Sequence, residues 1–252
     1  MRNPWAREYV RTPDRYIWGT TPSGFAKELS ALVPRGGRIL DLGCGEGRDS
    51  VYFASYGFEV TGLEVSAAGL EKAERLAADR GVTIRWVCRS MLDLPVTGRF
   101  DLIYSCGSIH HVPKEDRPHL FRRLKSLTRP GGLHAHVVFT DTIVYPEKGE
   151  ELDYFLPGEL GRVYSSWQAL RYEDGRISCR QDGVPHSHSV ERIVATRLPS
   201  LGEPGCRPAI SARLIAPARP SRATAATAGL GSSSQPSGHP APRSAPRPGR
   251  PA

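Results

Sequence analysis

The residues of this chain best suited to chemistry fall in four places. Asp41, Gly43, Gly45 and Gly47 close an apolar stretch from Arg38 to Leu42 and open a helical pattern carrying Val51, Tyr52 and Ala54. Glycine lets a backbone turn sharply and lets a ligand reach main-chain atoms without meeting a Cβ. A strand, a glycine turn and a helix make the first half of a nucleotide-binding βαβ unit. Glu64 stands 23 residues after Asp41, at the end of the next apolar stretch. A carboxylate there can accept both hydroxyls of a ribose, each charge-assisted bond contributing about 1.5–3 kcal/mol. The spacing narrows the nucleotide. NAD and FAD sites want G-x-G-x-x-G with a small residue where this chain has Arg48, and a phosphate loop wants G-K-[ST]; neither is present. His110-His111 follow a later apolar stretch, and His186 and His188 lie in a polar one. These four are the candidates for proton transfer or for positioning an acceptor.

Such groups need strand ends to hold them. The pattern predicts strands over 38–42, 58–64, 82–88, 100–105 and 133–140, with two more over 167–172 and 191–197. Helices fall between them. One starts at Thr21-Pro22, with Thr21 as cap, and one is capped by Ser66 and closed by Gly81. Another runs over 113–127 and is ended by Arg129-Pro130-Gly131-Gly132. Alternating strands and helices imply an α/β, doubly wound, mostly parallel seven-stranded sheet with ligands at the carboxyl ends of its strands. Asp41, Glu64, Ser90, Cys106, His110, His111 and a connection over 174–189 belong to that edge.

The run Asp41-Leu42-Gly43-Cys44-Gly45-Glu46-Gly47 resembles motif I of the Rossmann-like, class I S-adenosylmethionine-dependent methyltransferases. Phe100-Asp101-Leu102-Ile103-Tyr104-Ser105 resembles motif IV, and the likeness extends over about 16–197. Tyr16 to Ser23, Gly45 to Arg48 and Asp182 to Ser189 are similar to the tellurite-resistance and thiopurine methyltransferase-like branch. The resemblance implies S-adenosylmethionine as cofactor, held by Asp41, Gly43, Cys44, Gly45, Glu64, Val65, Ser90, Met91 and Ser105. Ser90 stands where many relatives place an acid for the adenine amino group. The branch implies a small-molecule methyl acceptor with a soft sulfur, selenium or tellurium atom. Methyl transfer from a sulfonium is an in-line displacement in which positioning does most of the work. His110 or His111 is then the candidate base or acceptor-positioning group, and Trp18, His186 and His188 are candidate acceptor contacts. Tyr145, Tyr154 and Phe155 are candidates for an acceptor lid, and the amino-terminal aromatics, Trp5 among them, for a cover over the cofactor. Cys106 lacks the Pro-Cys context of a nucleophile for cytosine methylation, and no Asn/Asp-Pro-Pro-aromatic motif for amino-group methylation of nucleic acid follows the fourth strand.

Composition bounds the rest. The five cysteines show no C-x-x-C or other metal spacing, so reduced thiols and no metal site are expected. No run of 18 apolar residues occurs, and residues 1–8 lack a signal-peptide core, so a cytoplasmic protein without membrane contact is expected. The net charge of +8 is concentrated: residues 199–252 carry seven arginines, one acid and eleven of the 22 prolines. Residues 1–198 hold 27 basic and 25 acidic side chains. A methyltransferase domain over 1–198, with residues 1–33 as an amino-terminal cap segment, and a disordered tail over 199–252 are therefore expected. The tail's arginines could contact nucleic acid nonspecifically. This leaves a second reading, a nucleic-acid-associated protein whose basic tail delivers the domain.

Overall fold

Arg38–Leu42 forms β1, the third strand in the spatial order of a seven-stranded sheet. The structure, a computed structural model, describes residues 4–150, 152–181 and 183–199. Strands β2 (Glu59–Glu64) and β3 (Arg85–Cys88) lie to one side of β1. To the other side lie β4 (Phe100–Cys106), β5 (Thr128–Thr140), β7 (His186–Thr196) and β6 (Gln168–Cys179), in that spatial order. The first five strands run parallel, and β7 is antiparallel to both its neighbours. The order reverses between β1 and β4, and there the carboxyl ends of the strands open a crevice. Helices α1 (Pro4–Arg11), α2 (Gly24–Leu29), α3 (Arg48–Ser55), α4 (Ala67–Asp79), α5 (Arg117–Ser126) and α6 (Glu159–Val163) make the connections, with a 3-10 turn at Ile109–His111.

The sheet is buried on both faces, which explains why its central strands read as near-continuous apolar runs. One face packs Ile39, Tyr104, Val137, Phe139 and Val194 against α2 and α3. The other packs Leu40, Leu42, Ile103, Leu120 and Phe121 with Phe155 and Tyr164.

Several boundaries differ from the expected ones. The cap of α2 is Ser23, whose Oγ accepts the Ala26 N–H at 3.0 Å, rather than Thr21. Strand β3 begins three residues late because Val82 N–H is held by the Ala77 carbonyl (3.0 Å) at the end of α4. Arg129 to Gly132 does not form a turn before β5 but lies within it. There Gly131 N–H donates to Arg197 O (2.8 Å) and Arg197 N–H to Gly132 O (2.9 Å), so pairing with the chain beyond β7 draws the segment into the sheet. The stretch 174–189 is no loose connection: β6 and β7 pair from Gln168↔Thr196 to Cys179↔His186 as one long hairpin. Most of β6 is exposed, whereas β7, between β5 and β6, buries even His188, Ser189 and Glu191. The tail expected over 199–252 lies outside the described residues from 200 onward.

Candidate functional site

The glycine turn after β1 is shaped by backbone needs that only glycine meets. Gly43 sits at φ +66°, and a Cβ there would lie 2.5 Å from Ser108 Cβ and 2.8 Å from Met91 Cε. Gly45 sits at φ +55°, and its Cβ would lie 2.8 Å from the Tyr9 hydroxyl oxygen. Both conformations are strained for residues with side chains. The turn is tied to the end of β2, where Leu63 O accepts from Gly43 N–H (2.7 Å) and Cys44 N–H (3.1 Å).

Glu64 ends β2 and is buried beside that turn. Its Oε2 accepts the Gly45 N–H (3.2 Å) and its Oε1 the Ser66 N–H (2.9 Å), while Ser66 Oγ caps α4 at Gly69 N–H. A carboxylate can accept several hydrogen bonds at once, the capacity a ribose diol requires. Asp41, 3% exposed, accepts the Ser50 hydroxyl at 2.6 Å. Burial pushes its carboxyl up to about 7, and the neighbouring acids Asp49 and Glu64 push the same way. Asp49 itself accepts the Ser23 N–H and the Tyr104 hydroxyl, each at 2.7 Å. Five carboxyl side chains, Asp41, Glu46, Asp49, Glu64 and Glu147, therefore line one cavity at the switch point, together with Trp5, Tyr9 and Trp18. Acids and ring faces together favour a cationic guest.

The rings are held by a second set of groups. Glu46 accepts the N–H groups of Ile17 and Trp18, each at 3.0 Å, and forms a buried ion pair with Lys72. Lys72 also donates to the carbonyls of Thr12 (2.9 Å) and Arg15 (2.7 Å). Trp18 Nε1–H donates to the Tyr9 hydroxyl at 3.2 Å. Trp5 packs on Trp18 with centroids 4.6 Å apart, and its Nε1–H donates to Glu147 Oε2 at 2.6 Å. Lys72 shares the inward arc of α4 with Gly69, Ala73 and Leu76. A charge on an apolar face, Lys72 beside Ala73 and Leu76, is the sequence signal of this clamp.

The expected site residues separate into two groups. Asp41, Gly43, Cys44, Gly45, Glu64, Val65, Met91, Trp18 and His111 line the cavity. Ser90, Ser105, His110, His186 and His188 do not. Ser90 Oγ accepts the Leu92 N–H at 3.2 Å and so shapes its own loop. Ser105 is fully buried and hydrogen-bonded to His136 Nδ1 at 2.8 Å, on the strand face away from Tyr104. His110 stacks on Phe139 (4.2 Å between centroids), and its Nδ1 accepts the Phe139 N–H at 3.4 Å. His186 and His188 belong to β7, with Phe139 stacked on His188 at 4.1 Å. Of the expected lid, Phe155 is instead core under the Arg117 guanidinium, and Tyr145 stacks on His186.

Cys106, His111, Phe139, Glu147 and Ile177 also line the cavity. His111 Nε2 lies 3.7 Å from Glu147 Oε2, and its buried Nδ1 has no hydrogen-bond partner among the described residues. Burial pushes the His111 imidazole down to about 4, so it is neutral and only weakly basic near pH 7. Burial, then the Asp49 charge, pushes the Cys106 thiol up to about 11. Cys106 is thus a protonated wall residue, as the missing nucleophile motif suggested.

Comparison with known proteins agrees with this geometry. Residues 39–132 match the family described as a methyltransferase domain. An uncharacterized methyltransferase of Mycobacterium bovis is 31% identical over 143 residues, which are 56% of this chain and 70% of that one. The 27-O-demethylrifamycin SV methyltransferase of Amycolatopsis mediterranei is 31% identical over 141 residues, covering 53% of this chain and 50% of its own length. Among solved structures, TehB from Haemophilus influenzae superposes with a TM-score of 0.64 at 19% identity, over 77% of this chain and 65% of that one. The chain spans about half the length of the first curated relatives it matches. The glycine turn, the acid after β2, the seven-stranded order with its antiparallel β7 and these matches together place the chain in the class I S-adenosylmethionine-dependent methyltransferase family.

Proposed function

We propose that this chain transfers the methyl group of S-adenosylmethionine to a small-molecule acceptor by in-line displacement, and that the acceptor atom is soft: sulfur, selenium or tellurium. The observation that carries the reading is the cavity itself, lined by acids and by the rings of Trp5, Tyr9 and Trp18 at the switch point. Asp41 faces the methionyl ammonium, Glu64 the ribose hydroxyls, and the turn at Gly43 to Gly45 offers backbone to the rest of the cofactor. The ring faces of Trp5, Tyr9 and Trp18 favour the sulfonium by up to about 2 kcal/mol once water is excluded.

The acceptor end supports a soft nucleophile. No strong base faces it: His111 is held near 4 and the Cys106 thiol near 11. An alcohol or phenol needs its proton removed as it attacks. A thiolate, selenite or tellurite anion arrives deprotonated and needs only alignment. His111 then acts by position, its orphaned Nδ1 offering one hydrogen bond to the acceptor. The relative from Amycolatopsis is named for a small-molecule acceptor, which fits the coarser part of this reading. Delivery to nucleic acid is the weaker reading, because the charge excess belongs to residues 199–252 and residues 1–198 are nearly balanced. Among the described residues no helix is long and apolar enough to cross a membrane. Cys44, Cys88 and Cys106 are free thiols, which fits the cytoplasm.

Turnover of labelled S-adenosylmethionine with thiol, selenite, tellurite, phenol and DNA acceptors tests the proposal. Methylated thiol, selenium or tellurium products are expected, with little phenol or DNA product. Efficient methylation of phenol alone would overturn the soft-acceptor part. Calorimetry with S-adenosylhomocysteine tests the cofactor assignment separately.

A further inference from the structure

A cluster of soft donors stands beside the cavity at the tip of the β6–β7 hairpin. Cys179 ends β6, His186 begins β7, and the two are register partners across the ribbon. His188, two residues on, projects from the same face as His186, because side chains alternate along a strand. The hairpin thereby gathers what the linear spacing of these residues hides. One ligand atom from each of Cys179, His186 and His188 lies within 4.8 Å of the others.

The His186 tautomer and both rings suit coordination. The Val184 carbonyl, 2.7 Å from His186 Nδ1, can only accept, so Nδ1 carries the hydrogen and Nε2 presents its lone pair. A backbone carbonyl on the far nitrogen is the usual outer-shell partner of a metal-binding imidazole. His186 Nε2 points at His188 Nε2, 2.9 Å away. Both rings are clamped, His186 by Tyr145 (3.6 Å, 3° between planes) and His188 by Phe139 (4.1 Å, 20°). Gln181 Oε1 lies 2.7 Å from Cys179 Sγ and adds an oxygen donor at the same point. His186 is partly exposed, which leaves a route from solvent, whereas Cys179 and His188 are buried.

We propose that this hairpin tip is a binding site for a thiophilic divalent cation of the zinc class, held by Cys179 Sγ, His186 Nε2 and His188 Nε2. One thiolate and two imidazoles form a set that suits tetrahedral zinc, with the fourth position left to solvent or to Gln181 Oε1. Binding releases the thiol proton, while the hydrogen between the imidazoles moves to His188 Nδ1, so that both rings remain neutral ligands. The ion would cross-link β6 to β7 at their open end. Through the His188–Phe139 stack it would also fix a wall of the cavity, since Phe139 lines it. The site stands independently of the acceptor proposed above.

The test uses the full chain, stripped with chelator, dialysed and titrated with cobalt(II), then competed with zinc. One equivalent is expected to give tetrahedral d–d bands and a thiolate-to-cobalt charge-transfer band that zinc abolishes. Cys179→Ser should lose the charge-transfer band, and His188→Ala should weaken cobalt by at least about a hundredfold, beyond the tenfold to hundredfold of outer-shell changes. Glu147→Gln, which alters the separate His110–His111–Glu147 cluster, should leave the bands unchanged. Circular dichroism melts of each variant without metal establish that it is folded, and Cys179→Ala with His186→Gln replaces any that is not. A charge-transfer band that persists in folded Cys179→Ser, that vanishes in Glu147→Gln, or that never forms in the wild type would overturn the site.

Discussion

Asp41 offers the sharpest test of the cavity's electrostatics. Its carboxyl is buried against the glycine turn and pushed from 3.8 up to about 7 by lost hydration. The folded protein therefore keeps a proton that the unfolded chain has already released. Between those two values the unfolded state binds fewer protons, so this group lowers stability progressively as pH rises, and its full cost is present above about 7. A gap of roughly three pKa units corresponds to about 4 kcal/mol. Asp41→Asn keeps an oxygen for the Ser50 hydroxyl and removes the charge. At pH 8 the ligand-free variant should be more stable than wild type by up to about 4 kcal/mol, and at pH 4 the two should be nearly equal. The same variant should bind S-adenosylhomocysteine more weakly by about 1.5–3 kcal/mol, because the ligand ammonium loses a charged partner. In the wild type, binding requires ionised Asp41, so affinity should rise about tenfold from pH 6 to 8 and then flatten, as a group titrating near 7 dictates. Urea unfolding at pH 4 and 8 measures the first effect. Calorimetry in buffers of different ionisation enthalpy measures the second and counts the proton released. An Asn variant no more stable than wild type at pH 8, together with pH-independent wild-type affinity, would refute the reasoning.

Other expectations follow from the remaining parts of the site. Glu64→Ala removes the acceptor of two backbone N–H groups and of the proposed ribose bonds; cofactor affinity should fall by a few kcal/mol in the same calorimetry, and unchanged affinity would remove Glu64 from the site. Lys72→Met strips the buried partner from Glu46 and should destabilise the domain by about 3–5 kcal/mol. Amide exchange should quicken at residues 12–18, and unaltered exchange there would show that the clamp does not hold that segment. Deleting residues 200–252 should leave the unfolding midpoint and small-acceptor turnover unchanged, because β7 ends at Thr196. The deletion should also reduce salt-dependent DNA binding, since the arginines beyond residue 199 are lost. Loss of folding in the truncated chain would place a necessary element beyond Pro199.

What the sequence by itself determined is local. Gly43 and Gly45 announce a turn because the backbone there takes positive φ, which a side chain resists, and that requirement is written in the residue type. Glu64 and the central strands are equally readable, since strand ends and apolar runs depend on near neighbours in the chain. Distant partners decided the rest. Trp5 meets Glu147 across 142 residues, and Lys72 holds carbonyls 57 and 60 positions away. His110 and His111 are adjacent in sequence, yet only His111 reaches the cavity, because stacking on Phe139 turns its neighbour into the wall. The hairpin needed tertiary structure most. Alternation in β6 and β7 is consistent with several registers, and only the folded hairpin, paired from Gln168↔Thr196 to Cys179↔His186, shows which one sets Cys179 opposite His186. A slip of one residue would send those side chains to the other face, so the donor cluster is a product of register rather than of spacing.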